Sequence, residues 1–166
     1  MGIRFFDYDE ITDKDIVIKG KSFRILLDIC FKYSNEFSFL FDETNDRDFV
    51  ELDAHLTHKV IKASCHEALY PTVRQWIKFY KCCEESKRAI LSITDDFWKL
   101  NGASDLQNPE DLTFYRKDRS VFFCSSRHQG YGTFYPRKGE DISAFFEAVD
   151  FHTKINTIQI VEDQHR

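Results

Sequence analysis

Two stretches of this 166-residue chain hold side chains that bind metals or move protons near neutral pH. The first is His55, His58, Cys65 and His66. Imidazole nitrogen and thiolate sulfur are zinc ligands, and a helix brings two ligands together at i,i+4. His55 and His58 are three apart, while Cys65 lies seven beyond His58 and shares its face if the stretch is helical. Cys82-Cys83 supplies two more thiols. No second ligand pair with zinc spacing accompanies them. No metal or other cofactor is therefore assigned, and a metal or small-ligand site at these residues stands as an alternative.

The second stretch is Cys124-Ser125-Ser126-Arg127-His128, with Tyr131 and Tyr135 close behind. Ser126, Arg127, His128 and Tyr131 make an alternative pocket at a strand end, with His128 as acid, base or anchor. Cys124 beside His128 offers a thiol–imidazole pair for a small Cys/His enzyme. A histidine bonding its own turn explains the same residues, because no partner carboxylate or nucleophile motif accompanies it. Walker A, GxGxxG and GxSxG motifs are absent, and glycines number only 6. The expectation is a protein with no catalysis of its own and no assigned catalytic residue.

A third group is chemical through charge alone. Asp42, Glu43, Asp46, Asp48, Glu51 and Asp53 face only Arg47, a balance of −5 that equals the net charge of the whole chain. By contrast, Arg116 to Lys138 holds six bases against Asp118. An acid-dense run suits a basic partner, since complementary charge speeds encounter and rejects wrong partners. A solvated loop kept for solubility reads the same way. Asp7, Asp9 and Asp13 miss the EF-hand calcium spacing.

The elements that must position these groups follow from periodicity. Leu112–Arg116, Val121–Arg127 and Tyr131–Tyr135 read as a three-stranded meander, turning at Lys117-Asp118-Arg119 and at Gln129-Gly130. Residues 22–34 alternate as a strand would, yet Arg24, Asp28 and Lys32 step by four. This predicts a helix with Ser22 as N-cap. Phe37, Phe39 and Phe41 predict a strand, and Ile16–Ile18 a short one. Phe49, Leu52, Leu56, Val60 and Ala63 recur at three or four and predict a helix to Ala68, which carries the first histidine group. Thr72 with Gln75 reads as a capping box. It opens a long helix whose core face is Val73, Trp76, Ile77, Tyr80, Cys83 and Lys87. Helix continues from Ala89 to Leu100 with a break near Ile93–Asp95, where Asp95 caps Phe97-Trp98, and Asn101-Gly102 ends it. A helix through Ile142–Val149 and a strand through Ile155–Val161 complete the chain. The fold class is α+β: an antiparallel sheet, the meander 112–135 plus flanking strands, packed against several helices in a single domain over 1–166.

Composition narrows the function classes. A net charge of −5 argues against direct nucleic-acid binding. No run reaches the ~20 apolar residues a membrane helix needs. Five cysteines, odd in number and without CxxC, fit buried thiols in a reducing compartment. The acidic N-terminus lacks an apolar secretion core, so a cytoplasmic protein is expected.

Pro109-Glu110-Asp111-Leu112-Thr113-Phe114-Tyr115, followed by Phe122-Phe123-Cys124-Ser125-Ser126-Arg127-His128, resembles small bacterial immunity proteins of polymorphic or contact-dependent growth inhibition toxin systems. Tyr80-x-Cys82-x-x-Glu85 and Phe97-Trp98 fit the same resemblance, which covers the second half of the chain. Gln129 stands where such proteins carry an acid. The resemblance implies a cytosolic inhibitor that binds and neutralises one cognate toxin, often a basic nuclease, by covering its active site. The acidic run 42–53 is the surface expected to meet it.

Overall fold

In the computed structural model the described residues are 1–10, 12–42, 49–62, 75–100, 108–126, 129–151 and 157–162. Phe37, Phe39 and Phe41 are fully buried on a strand, β4 (Glu36–Asp42), inside an antiparallel sheet that has eight strands among the described residues. Its other members are β1 (Gly2–Phe6), β5 (Leu56–Lys62), β6 (Gln75–Lys81), β7 (Glu110–Tyr115), β8 (Val121–Ser126), β9 (Tyr131–Phe134) and β10 (Ile158–Val161). Across the sheet the order is β10-β1-β9-β8-β7-β4-β6-β5. A separate two-stranded ribbon joins β2 (Tyr8–Asp9) to β3 (Lys14–Asp15). The α+β class and the meander β7-β8-β9 are as the sequence predicts.

Directly paired residues share a face of an antiparallel sheet. The register Ile3–Phe134–Phe123–Phe114–Phe37–Tyr80 therefore runs one row of large side chains across six strands. Helices cover this row. α1 (Lys21–Tyr33) sets Phe31 against Phe37 and Phe114, at 5.6 and 5.4 Å between rings. α4 (Ser143–Ala148) sets Phe145 against Phe134 at 5.4 Å. A 3₁₀ turn (Phe97–Leu100) brings Phe97 against Phe123 at 6.0 Å. α3 (Glu84–Ile93) lies beside α1, joined by Lys87 Nζ–Asp28 at 2.9 Å, and packs on the short α2 (Val50–Asp53). Phe5 lies across Gly132 of the neighbouring strand. Glycine is required there because a Cβ would run into the Phe5 ring.

The helix expected over 22–34 is present, but its cap is not Ser22. Gly20 holds the N-cap with φ 59, a conformation that glycine adopts without strain. Ser22 Oγ instead accepts from Lys19 N–H at 3.0 Å and donates to Lys19 C=O at 3.1 Å. Ile16–Ile18 is not a strand. It is a core-lining segment whose Ile16 C=O accepts Trp98 Nε1–H at 2.6 Å, while Ile18 C=O accepts Phe97 N–H. Asp96, not Asp95, accepts Trp98 N–H at 3.1 Å.

Two predicted helices are wrong. Of the stretch expected to run helical from Phe49 to Ala68, the described residues are helical over Val50–Asp53 alone and then become β5. The stretch expected to be a long helix from Thr72 is β6 at Gln75–Lys81, and helix begins only at Glu84. Trp76, Ile77, Phe79 and Tyr80 are aromatic and β-branched, a composition that suits a pleated strand. The alternation was hidden by Lys78, which is buried rather than solvated, its Nζ 4.6 Å from the Phe41 ring centre and 3.6 Å from Asp53. Residues 63–74, with Thr72, and the predicted stop at Asn101-Gly102 lie outside the described residues.

Candidate functional site

The acid-dense run starts at the last residue of β4 and ends at the last residue of α2. Asp42 ends β4, and Glu43, Asp46 and Asp48 lie outside the described residues. The last two acids have different tasks. Asp53 accepts Tyr80 O–H at 3.0 Å and pairs with Lys78, so it fastens α2 to β6. Glu51 is exposed and, among the described residues, accepts only a long 3.3 Å bond from Ser92 Oγ. Beside it opens a groove of about 340 Å³ between α2 and α3, lined by Phe49, Val50, Leu52, Ala89, Ser92 and Ile93 as well as Glu51. Val50 is 76% exposed at its rim. Burying one side chain of this size is worth about 1.5 kcal/mol or more, so the groove can take an apolar anchor next to a carboxylate.

The second candidate pocket is only partly described. Arg127 and His128 lie outside the described residues. Ser126 and Tyr131 face each other across β8 and β9. The Tyr131 ring lies 3.8 Å from the Arg4 guanidinium carbon and against Phe6. Arg4 in turn donates to Thr133 Oγ1 at 3.1 Å. Cys124 sits on the same face, opposite Thr113 and Thr133. Burial pushes its thiol up to about 11, against a smaller lowering by a Tyr135 hydrogen bond, which disfavours the thiolate a nucleophile needs.

The two described histidines, His55 and His58, lie on different elements. His58 lies on β5, stacked on Phe79 at 4.2 Å, with Nδ1 3.0 Å from Thr57 Oγ1 and 3.6 Å from Glu36. His55, in the turn after α2, has Nδ1 3.6 Å from Cys83 Sγ. Cys65 and His66 lie outside the described residues, among which no three His, Cys, Asp or Glu side chains are placed to hold a metal ion.

The Cys83–His55 contact is what periodicity missed. Helical periodicity puts Cys83 on a core face, whereas it is the N-cap of α3, with its sulfur accepting the Ser86 N–H and Ser86 Oγ accepting the Cys83 N–H at 3.1 Å. The signal was present as Cys83-Glu84-Glu85-Ser86, a capping-box arrangement with sulfur in place of the usual hydroxyl and two acids in the first turn. Compared with family models, curated proteins and solved structures, the chain matches none. No described helix is long and apolar enough to cross a membrane.

Proposed function

We propose that this chain is an immunity-type binding protein that neutralises a basic bacterial protein toxin in the cytoplasm, with no catalysis of its own. The observation that carries the reading is the pairing of an exposed apolar anchor site with acid. The α2–α3 groove, with Val50 at its rim and Glu51 beside it, is built in part from a run of six acids against one base. Tight inhibitors combine a desolvated apolar centre with complementary charge that steers encounter. A nuclease is the target class that fits best, because its substrate cleft is cationic. The acidic run then covers that cleft, and a side chain of the toxin enters the groove. The resemblance of the second half of the chain to immunity proteins supports the same role.

The test begins with the tagged protein isolated from its own host at low salt and weighed intact by native mass spectrometry. A one-to-one basic protein that dissociates as salt rises is the expected partner. That partner is then expressed in a naive cell with either the wild type or the Val50→Asp/Glu51→Lys variant. Wild type restores growth and the variant does not. Growth unaffected by the wild type, or restored equally by both, overturns the reading.

A further inference from the structure

The α3 N-terminus gathers thiol chemistry that toxin binding does not use. Cys83 and His55 are both half-buried, and so reachable from solvent, and their Sγ and Nδ1 lie 3.6 Å apart. Around them, Glu85 is an acid of the first turn of α3, two residues from Cys83. Its carboxyl is held below the usual glutamate range, first by its own backbone N–H and then by Cys83. Arg88 pairs with Glu85 at 3.4 Å. From β6, Lys81 N–H binds the His55 carbonyl at 3.0 Å, which fixes the turn that carries the imidazole. The thiol therefore has an N-terminal helix dipole and a backbone N–H beneath it and an imidazole beside it.

The other described thiols are arranged differently. Cys30 is fully buried and its thiol lies well above the ordinary value through desolvation. Burial pushes Cys82 up to about 12 and Cys124 up to about 11. A thiol so raised carries little thiolate near neutral pH, and the gain in intrinsic nucleophilicity recovers only part of that loss.

We infer that Cys83 is a site of thiol modification, forming a mixed disulfide with low-molecular-weight disulfides while His55 takes the thiol proton. The S–H proton passes to His55 Nδ1. The thiolate attacks one sulfur of the small disulfide, a new S–S bond forms and the old one breaks. The departing thiolate recovers the proton from the imidazolium. This chemistry stands apart from toxin binding and survives if that reading fails.

The experiment treats the intact, folded protein with oxidised glutathione and maps the adduct cysteine by cysteine against time and pH. Cys83 acquires glutathione at least about tenfold faster than Cys30, Cys82 or Cys124. Peptide mapping keeps Cys65 separate without mutation. In His55→Gln the Cys83 rate falls roughly tenfold near neutral pH and its pH profile moves upward. Dithiothreitol returns the original mass. Equal or faster labelling of Cys30, Cys82 or Cys124 in the folded chain overturns the inference, as does a His55→Gln profile that superimposes on the wild type.

Discussion

At the β1-β9-β8 side of the sheet, Phe5 touches the rings of Phe97, Phe123, Phe134, Phe145 and Phe151, at centroid distances from 4.9 to 6.2 Å. At the β6-β5 side the corresponding face holds Lys78 over Phe41 and Lys59 over Trp76, and ends at Ile61, which is 79% exposed. The first region is closed by aromatic packing and by a charged clasp. Arg116 reaches back to Glu140 through Nε at 2.7 Å while its other nitrogens donate to the Val121 and Tyr135 carbonyls. The second region leaves apolar and charged groups within reach of solvent, beside the acid-dense run and the Cys83–His55 pair. On the proposed function, stability is concentrated in the first and recognition in the second, because a surface that must desolvate against a partner cannot already be packed.

This contrast is broken or sharpened by substitution. Phe5→Ala removes the ring shared by two helical elements and two strands. It is expected to cost about 4 kcal/mol, or roughly 10 °C in melting temperature, read by thermal unfolding. A loss of under 1 kcal/mol would erase the distinction between the two ends. Next in size is Glu140→Gln, which leaves Arg116 with a buried, unmatched charge and is expected to cost about 3 kcal/mol.

The same clasp sets a pH dependence. Glu140 lies below its ordinary value, first through Arg116, so the stability it contributes is complete above the unfolded glutamate value and declines as pH falls through the lower folded one. Unfolding of wild type and Glu140→Gln followed from pH 6 to about pH 3 should converge at the acid end. Parallel curves would assign the clasp no role in acid stability. Smallest of all, Ile61→Thr at the exposed edge should shift unfolding by no more than about 0.5 kcal/mol. A larger loss would show that the β5 edge is already covered in the free protein.

The closed region was legible in the sequence and the open one was not. In the meander, Leu112, Phe114, Phe122 and Phe123 are apolar where the sheet buries them and the turns carry polar residues, so local pattern and tertiary environment agree. At β5 and β6 they disagree. Leu56 and Val60 are spaced as a helix face yet are exposed on an edge strand, and Lys78 is charged yet buried. A reading that places apolar residues inside and lysines outside assigns helix to both. The candidate site suffered in step. The six acids were visible as charge, but the groove at Val50 exists only because a one-turn helix packs on α3. His55 met Cys83, 28 residues away, because β5 and β6 are paired, a contact no helical spacing can supply.

The most direct measurement is the affinity of the purified protein for its captured basic partner, by titration calorimetry at low and raised salt, in wild type and in Val50→Asp/Glu51→Lys. Binding in the variant should be at least about tenfold weaker, with a flatter salt dependence and unchanged thermal unfolding. Equal affinity and equal salt dependence would contradict the account and place the partner on another face.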